Sequence, residues 1–137
     1  MKMKTPGETN LEKLIQSMSP QLNPGEYVYL TLVDIGSIPR EVSVCEIRER
    51  EGTTLIIEKN KADQLGLDYG FVCSWITLEI HSSLEAVGLT AAFSSALAKH
   101  GISCNVVAGY YHDHIFVNQN HEQAALKVLR ELSEKVN

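Results

Sequence analysis

From Tyr27 onward the chain alternates, with Val28, Leu30 and Leu32 on one side and Tyr27, Tyr29 and Thr31 on the other. That period of two predicts a strand over residues 27–33 with two distinct faces. Before it, Leu11, Leu14, Ile15 and Met18 recur at helical spacing, and Thr9 with Glu12 has the form of a capping box. Pro20 and the Asn23-Pro24-Gly25 cluster are expected to stop this helix. A loop over 34–40 follows, carrying Gly36 and Pro39. Strands are predicted over 42–48 and 53–58, joined as a hairpin around Glu51-Gly52, and then a short helix over 60–65 closed by Gly66.

The second half starts again with a strand, 75–81, in which Ile76, Leu78 and Ile80 share the core face. Ser82 or Ser83 is expected to cap the next helix, whose stripe is Leu89, Phe93, Ala96 and Leu97 and whose end is Gly101. A strand over 102–108, with Ile102, Cys104, Val106 and Ala108 inward, turns at 109–111 and returns as a strand over 113–117. Asn120, three residues before Gln123, is expected to cap a last helix that buries Ala125, Val128, Leu129 and Leu132.

Each half thus holds a hairpin followed by a helix, while only the second has a full helix between its first two strands. The order β-α-β-β-α predicts an α+β fold, ferredoxin-like, with antiparallel sheets and helices on one face. The expected division is a degenerate unit over 1–70, including the leading helix, and a complete one over 71–137.

At 137 residues and 44% hydrophobic, the chain can bury one sizeable core or two small ones. A net charge of -5 leaves no basic field for a phosphate backbone, so no nucleic-acid partner is expected. No apolar run approaches the roughly 20 residues that cross a bilayer, and Met1-Lys2-Met3-Lys4-Thr5-Pro6 has no apolar segment behind its lysines; a cytoplasmic protein without a membrane partner is the expectation. Cys45, Cys73 and Cys104 are odd in number, widely spaced and set in apolar stretches, the pattern of buried thiols.

No nucleophile with its base, phosphate loop or carboxylate pair has usable form, so no catalytic residue is assigned and no cofactor is expected. His112 and His114 lie two apart on an extended segment, and His81 ends a strand that could neighbour them. Zinc wants three or four ligands, so two histidines with an uncertain third leave metal binding unassigned.

The pieces Arg50-Glu51-Gly52-Thr53-Thr54-Leu55, Trp75-Ile76-Thr77-Leu78, Ala86-Val87-Gly88-Leu89-Thr90-Ala91-Ala92-Phe93, Leu97 to Ser103 and Asp113-His114-Ile115-Phe116-Val117 together resemble the ACT-domain superfamily, in particular small bacterial proteins with two ACT-like units in tandem. The resemblance implies a regulatory or sensory module that binds a small molecule, an amino acid above all, where the first strand of a unit turns into its helix. It places the ligand-binding residues at Ser83, Glu85, Ala86, Val87 and Gly88, with Asp113 as the partner of the ligand's amino group and Glu85 as a second choice. A helix N-terminus suits a carboxylate, and Gly88 has no side chain to block approach. A homodimer is expected, with the outward face of the 75–81 strand and Tyr110-Tyr111 as interface elements. The alternatives are a dimerisation scaffold with no ligand and, third, a small enzyme whose site forms only between subunits.

Overall fold

A computed structural model describes residues 10–80, 83 and 85–136 of the chain. It divides into two compact units, one formed by residues 24–74 and the other by 10–23 together with 75–136.

In the 24–74 unit, strand β2 (Tyr27–Leu32) pairs antiparallel with β4 (Thr53–Glu58) along its whole length, Tyr27 opposite Glu58 and Leu32 opposite Thr53. The edge strand β3 (Ser43–Arg48) pairs with β4 on its far side, and helix α2 (Lys59–Gln64) follows. The first residues of the ten-residue strand β5 (Gly70–Glu79) pair with β2 on its other side, so the order is β3-β4-β2-β5. Val28, Leu30, Leu55, Ile57 and Ala62 form the core, and Ile35, Ile38 and Val42 pack on it from the connection between β2 and β3. That connection holds a 3-10 turn, Arg40–Val42, and no α-helix.

In the other unit, helix α1 (Leu11–Ser17) leads into strand β1 (Ser19–Leu22), which pairs antiparallel with the end of β5, Ser19 opposite Glu79 and Leu22 opposite Ile76. Helix α3 (Leu89–Ala98), strands β6 (Asn105–Ala108) and β7 (Asp113–Asn118), and helix α4 (Glu122–Val136) complete it in the order β1-β5-β7-β6. Leu14, Ile76, Leu78, Phe93, Ile115 and Leu129 are the centre of a core between the sheet and three helices. The fold is ferredoxin-like and occurs twice.

Several local expectations need correction. The Pro20 region is a strand, because Pro20 needs no N–H of its own at an edge position of the ladder. Asn10, whose side chain accepts from the Lys13 N–H at 3.1 Å, caps α1; Thr9 lies outside the described residues. Helix α3 starts at Leu89 with Gly88 as its N-cap, six residues after Ser83; Ser82 and His81 lie outside the described residues. Ser83 instead turns the entry segment on itself, accepting from the Glu85 N–H through its hydroxyl. Asn120 sits inside a 3-10 turn, Gln119–His121, that Asn118 caps, and α4 begins at Glu122. Ala108, predicted inward, is exposed.

Candidate functional site

The approach to α3 is built from short-range bonds. The Ser83 hydroxyl accepts from the Glu85 N–H at 3.1 Å, and the Ser83 carbonyl accepts from the Ala86 N–H at 3.0 Å. Glu85 is exposed and Val87 is 84% exposed, while Ala86 tucks against the core. Gly88, the N-cap, has φ +98°, a left-handed conformation that a Cβ would strain, and offers no side chain to the helix it opens. The first-turn amides of α3 carry the positive end of the helix dipole, and among the described residues no side chain accepts from them as a cap. The Cα side of Gly88 is not bare: a Cβ there would lie 3.0 Å from Leu11 Cδ2. Leu11, on α1, is packed over the glycine.

Asp113 opens β7 opposite Ala108 and is only 7% exposed. Burial pushes its carboxyl above the usual range, and the neighbouring His112 offsets part of that rise. His112 ties this end of β7 to the end of β5, its Nδ1 accepting from the Ile80 N–H at 3.0 Å. The structure thus sets Asp113 one residue from the side chain that holds the last residue before the α3 approach. Among the described residues no hydrogen bond joins Asp113 to residues 83–88.

His114 faces the side of the sheet away from the helices. Its Nδ1 accepts from the Trp75 indole N–H at 3.1 Å and lies 3.1 Å from the Thr77 hydroxyl, which accepts from the Asn23 amide at 2.9 Å. Indole only donates, so Nδ1 carries no proton and the ring is the neutral Nε2–H form. Burial, and then His112, hold this imidazole below its ordinary value. The Trp75 ring also stacks on Phe116 at 6.2 Å. The alternation of Trp75 with Thr77 marks this face, expected as an interface element, and His114, weighed in the sequence as a metal ligand, instead accepts from Trp75 on it.

All three thiols are free; Cys73 is buried as expected while Cys45 and Cys104 are half-buried, and burial pushes Cys73 up to about 12 and Cys104 up to about 11 and raises Cys45. Among the described residues no three histidine, cysteine or acidic side chains gather into a metal cage, and no helix is long and apolar enough to cross a membrane.

Two units of this kind, each an antiparallel sheet with helices on one face, define a tandem ferredoxin-like architecture shared with solved structures. A Thermus thermophilus aspartate kinase regulatory subunit, in a ligand-free form, superposes with a TM-score of 0.62 at 10% identity, over 85% of this chain and 97% of that one. An Agrobacterium tumefaciens protein gives 0.64 at 19% identity, over 85% and 89%. Two family models, each described as an ACT domain, match residues 6–74 and 71–131, and the chain belongs to the ACT-domain family. A Vibrio cholerae protein of unknown function, described as a possible transport protein, is 52% identical over 90% of this chain and 95% of its own, with a TM-score of 0.80. A search of curated protein sequences gave no match.

Proposed function

We propose that the chain is a non-catalytic regulatory module, working as a cytoplasmic homodimer, whose unit of residues 10–23 and 75–136 takes a free amino acid. The family supports ligand binding and regulation; the observation that favours an amino acid is Asp113, a buried carboxylate with no hydrogen bond to another side chain among the described residues, next to His112, which bonds Ile80 where the chain leaves β5 towards α3, a helix whose N-cap Gly88 has no side chain. In this reading the ligand ammonium neutralises Asp113 and the ligand carboxylate meets the first amides of α3, approached past Glu85 and Val87. The exposed Tyr110 and Tyr111 support a dimer contact at the β6–β7 turn.

A thermal-shift screen of the twenty amino acids tests this. A ligand at a hundredfold excess over its dissociation constant adds about 2.7 kcal/mol, and Asp113→Asn should erase that shift. No shift with any of the twenty would end the reading.

A second reading, a folded scaffold with no ligand, is favoured by Leu11, which fills the side of Gly88 where a ligand backbone could have come close. Leu11→Ala separates the two. It should raise affinity for the amino acid if Leu11 only narrows the approach, and should change stability alone if the contact is purely packing.

A further inference from the structure

The 24–74 unit contains an opening of its own, about 500 Å³ in volume, where β2 outruns β5. Its origin is in the register. Val28 pairs with Val72 and Tyr29 with Gly70, so Phe71 is an extra residue opposite β2, a bulge. Phe71 takes φ +52°, a left-handed conformation costly for a bulky side chain. Its ring is turned edge-on to Tyr29 at 5.6 Å. Opposite Tyr29 stands Gly70, beside which a Cβ would meet nothing within 4 Å. Beyond Tyr29, β2 continues through Thr31 to Leu32 with registered partners on β4 alone. The chain before Gly70 diverges, and the opening forms between.

The walls are chemically one-sided. Thr31 and Thr54, paired across the ladder, offer hydroxyl oxygens, the Thr54 hydroxyl itself donating to Glu49; Tyr29 and Tyr69 offer rings; Asp68 offers a carboxylate; among the described residues no lysine, arginine or histidine lines the opening. Tyr69 is anchored, its hydroxyl donating to Asp63 at 2.9 Å, and Asp63 is paired with Lys59 at 3.2 Å. The Tyr69 hydrogen bond and then Lys59 hold the Asp63 carboxyl below the usual range. Lys59 is thus committed to Asp63 and to the Tyr69 hydroxyl, away from Asp68, and Asp68 has no ion pair or side-chain hydrogen bond among the described residues. A carboxylate beside two aromatic rings attracts a positive charge through ordinary Coulomb attraction and through the ring quadrupole, and repels an anion.

The geometry points to a binding site for a small organic cation, an amine or guanidinium on an apolar body, held by Asp68 and the rings of Tyr29 and Tyr69. This site is separate from Asp113 and the α3 approach and stands or falls independently of them. Its ligand is monopolar, since among the described residues the walls hold nothing basic for a carboxylate.

The full chain is titrated with benzylammonium chloride, with sodium benzoate and benzyl alcohol in parallel, and read by backbone amide shifts. Benzylammonium should move the amides of Thr31, Thr54 and Asp68 to Gly70 saturably, with benzoate silent. Asp68→Asn, an exposed change, should weaken binding about fivefold or more with an unchanged unfolding midpoint. Tyr69→Leu, which removes the ring but keeps the carboxylate, should weaken it as well. Equal shifts with benzoate or benzyl alcohol, shifts confined to other residues, no saturation by about 50 mM, weaker than millimolar fragment affinity, or unaltered affinity in Asp68→Asn would each overturn the site. Loss of amino-acid binding at Asp113 would leave these shifts untouched.

Discussion

The two units arrange their strands in the same spatial order and fill that order from different stretches of sequence. In the 24–74 unit the four strands follow one another along the chain, and the fourth position is the beginning of β5. In the other, β5, β6 and β7 take the first three positions, and the fourth is β1, supplied from residues 19–22. The first connection differs as well: a loop with a 3-10 turn in one, the ten-residue helix α3 in the other. The lesson is that a sheet position requires a strand of suitable register and not a particular place in the chain, whereas a missing helix must be replaced by apolar side chains such as Ile35 and Ile38.

The sharpest break of this comparison is removal of residues up to Asn23. It takes Leu14, Ile15 and Met18 from the core and leaves an edge of β5 unpaired. Each buried aliphatic side chain is worth about 1.5–3 kcal/mol, against a total stability of roughly 5–15 kcal/mol. Amide exchange should show 75–136 unprotected, with β2 and β4 still protected. Protection at 75–136 in the truncated chain would mean that β1 is dispensable.

Next in size, Phe93→Ala empties a fully buried site on α3 and should cost about 3–5 kcal/mol in urea unfolding. Ile38→Ala, half-buried on the loop that stands in for a helix, should cost about 1 kcal/mol, because less area leaves the core. Equal costs would make the loop as demanding as the helix.

Gly88→Ala should lose about 1–2 kcal/mol to left-handed strain, and more than Gly25→Ala, which has φ +97° but nothing within 4 Å of its Cβ, because Leu11 must also move. A Gly25→Ala variant as unstable as Gly88→Ala would remove Leu11 from the explanation.

The smallest effects are pH dependences. Asp113 keeps its proton in the folded chain after the unfolded chain has released it near pH 3.8, so its contribution to stability falls as pH rises through that window. Asp113→Asn should raise stability at neutral pH and flatten that slope in thermal unfolding. His114 does the reverse: the unfolded imidazole takes a proton near pH 6.5 and the folded one resists, so stability falls as pH drops below 6.5. His114→Gln should flatten the slope on that side. Unchanged profiles would disconnect these two groups from the titration.

The paired faces of β2, the hairpin at Glu51-Gly52 and the stripes of α3 and α4 were legible because period-two and period-3.6 patterns report one apolar face directly. The run Ser19–Leu22 was not, since a four-residue strand with a proline has no period to read. The front of β5 was missed because a bulge at Phe71 breaks its alternation. Gly88 and Asp113 were legible as residues with special needs, a helix entrance and a turn-side acid. What surrounds them depends on partners far away in sequence: Leu11 over one, and His112 reaching Ile80 beside the other.

The borrowed strand also sets an order of events during synthesis. At roughly 5–20 residues per second, residues 24–74 leave the ribosome with every strand of their own sheet already made or about to be. Leu14, Ile15 and Met18 must instead remain uncovered until α4 has been translated, since α4 is among the elements that bury them. An apolar segment that waits in this way stays open to non-native contacts until the last helix emerges.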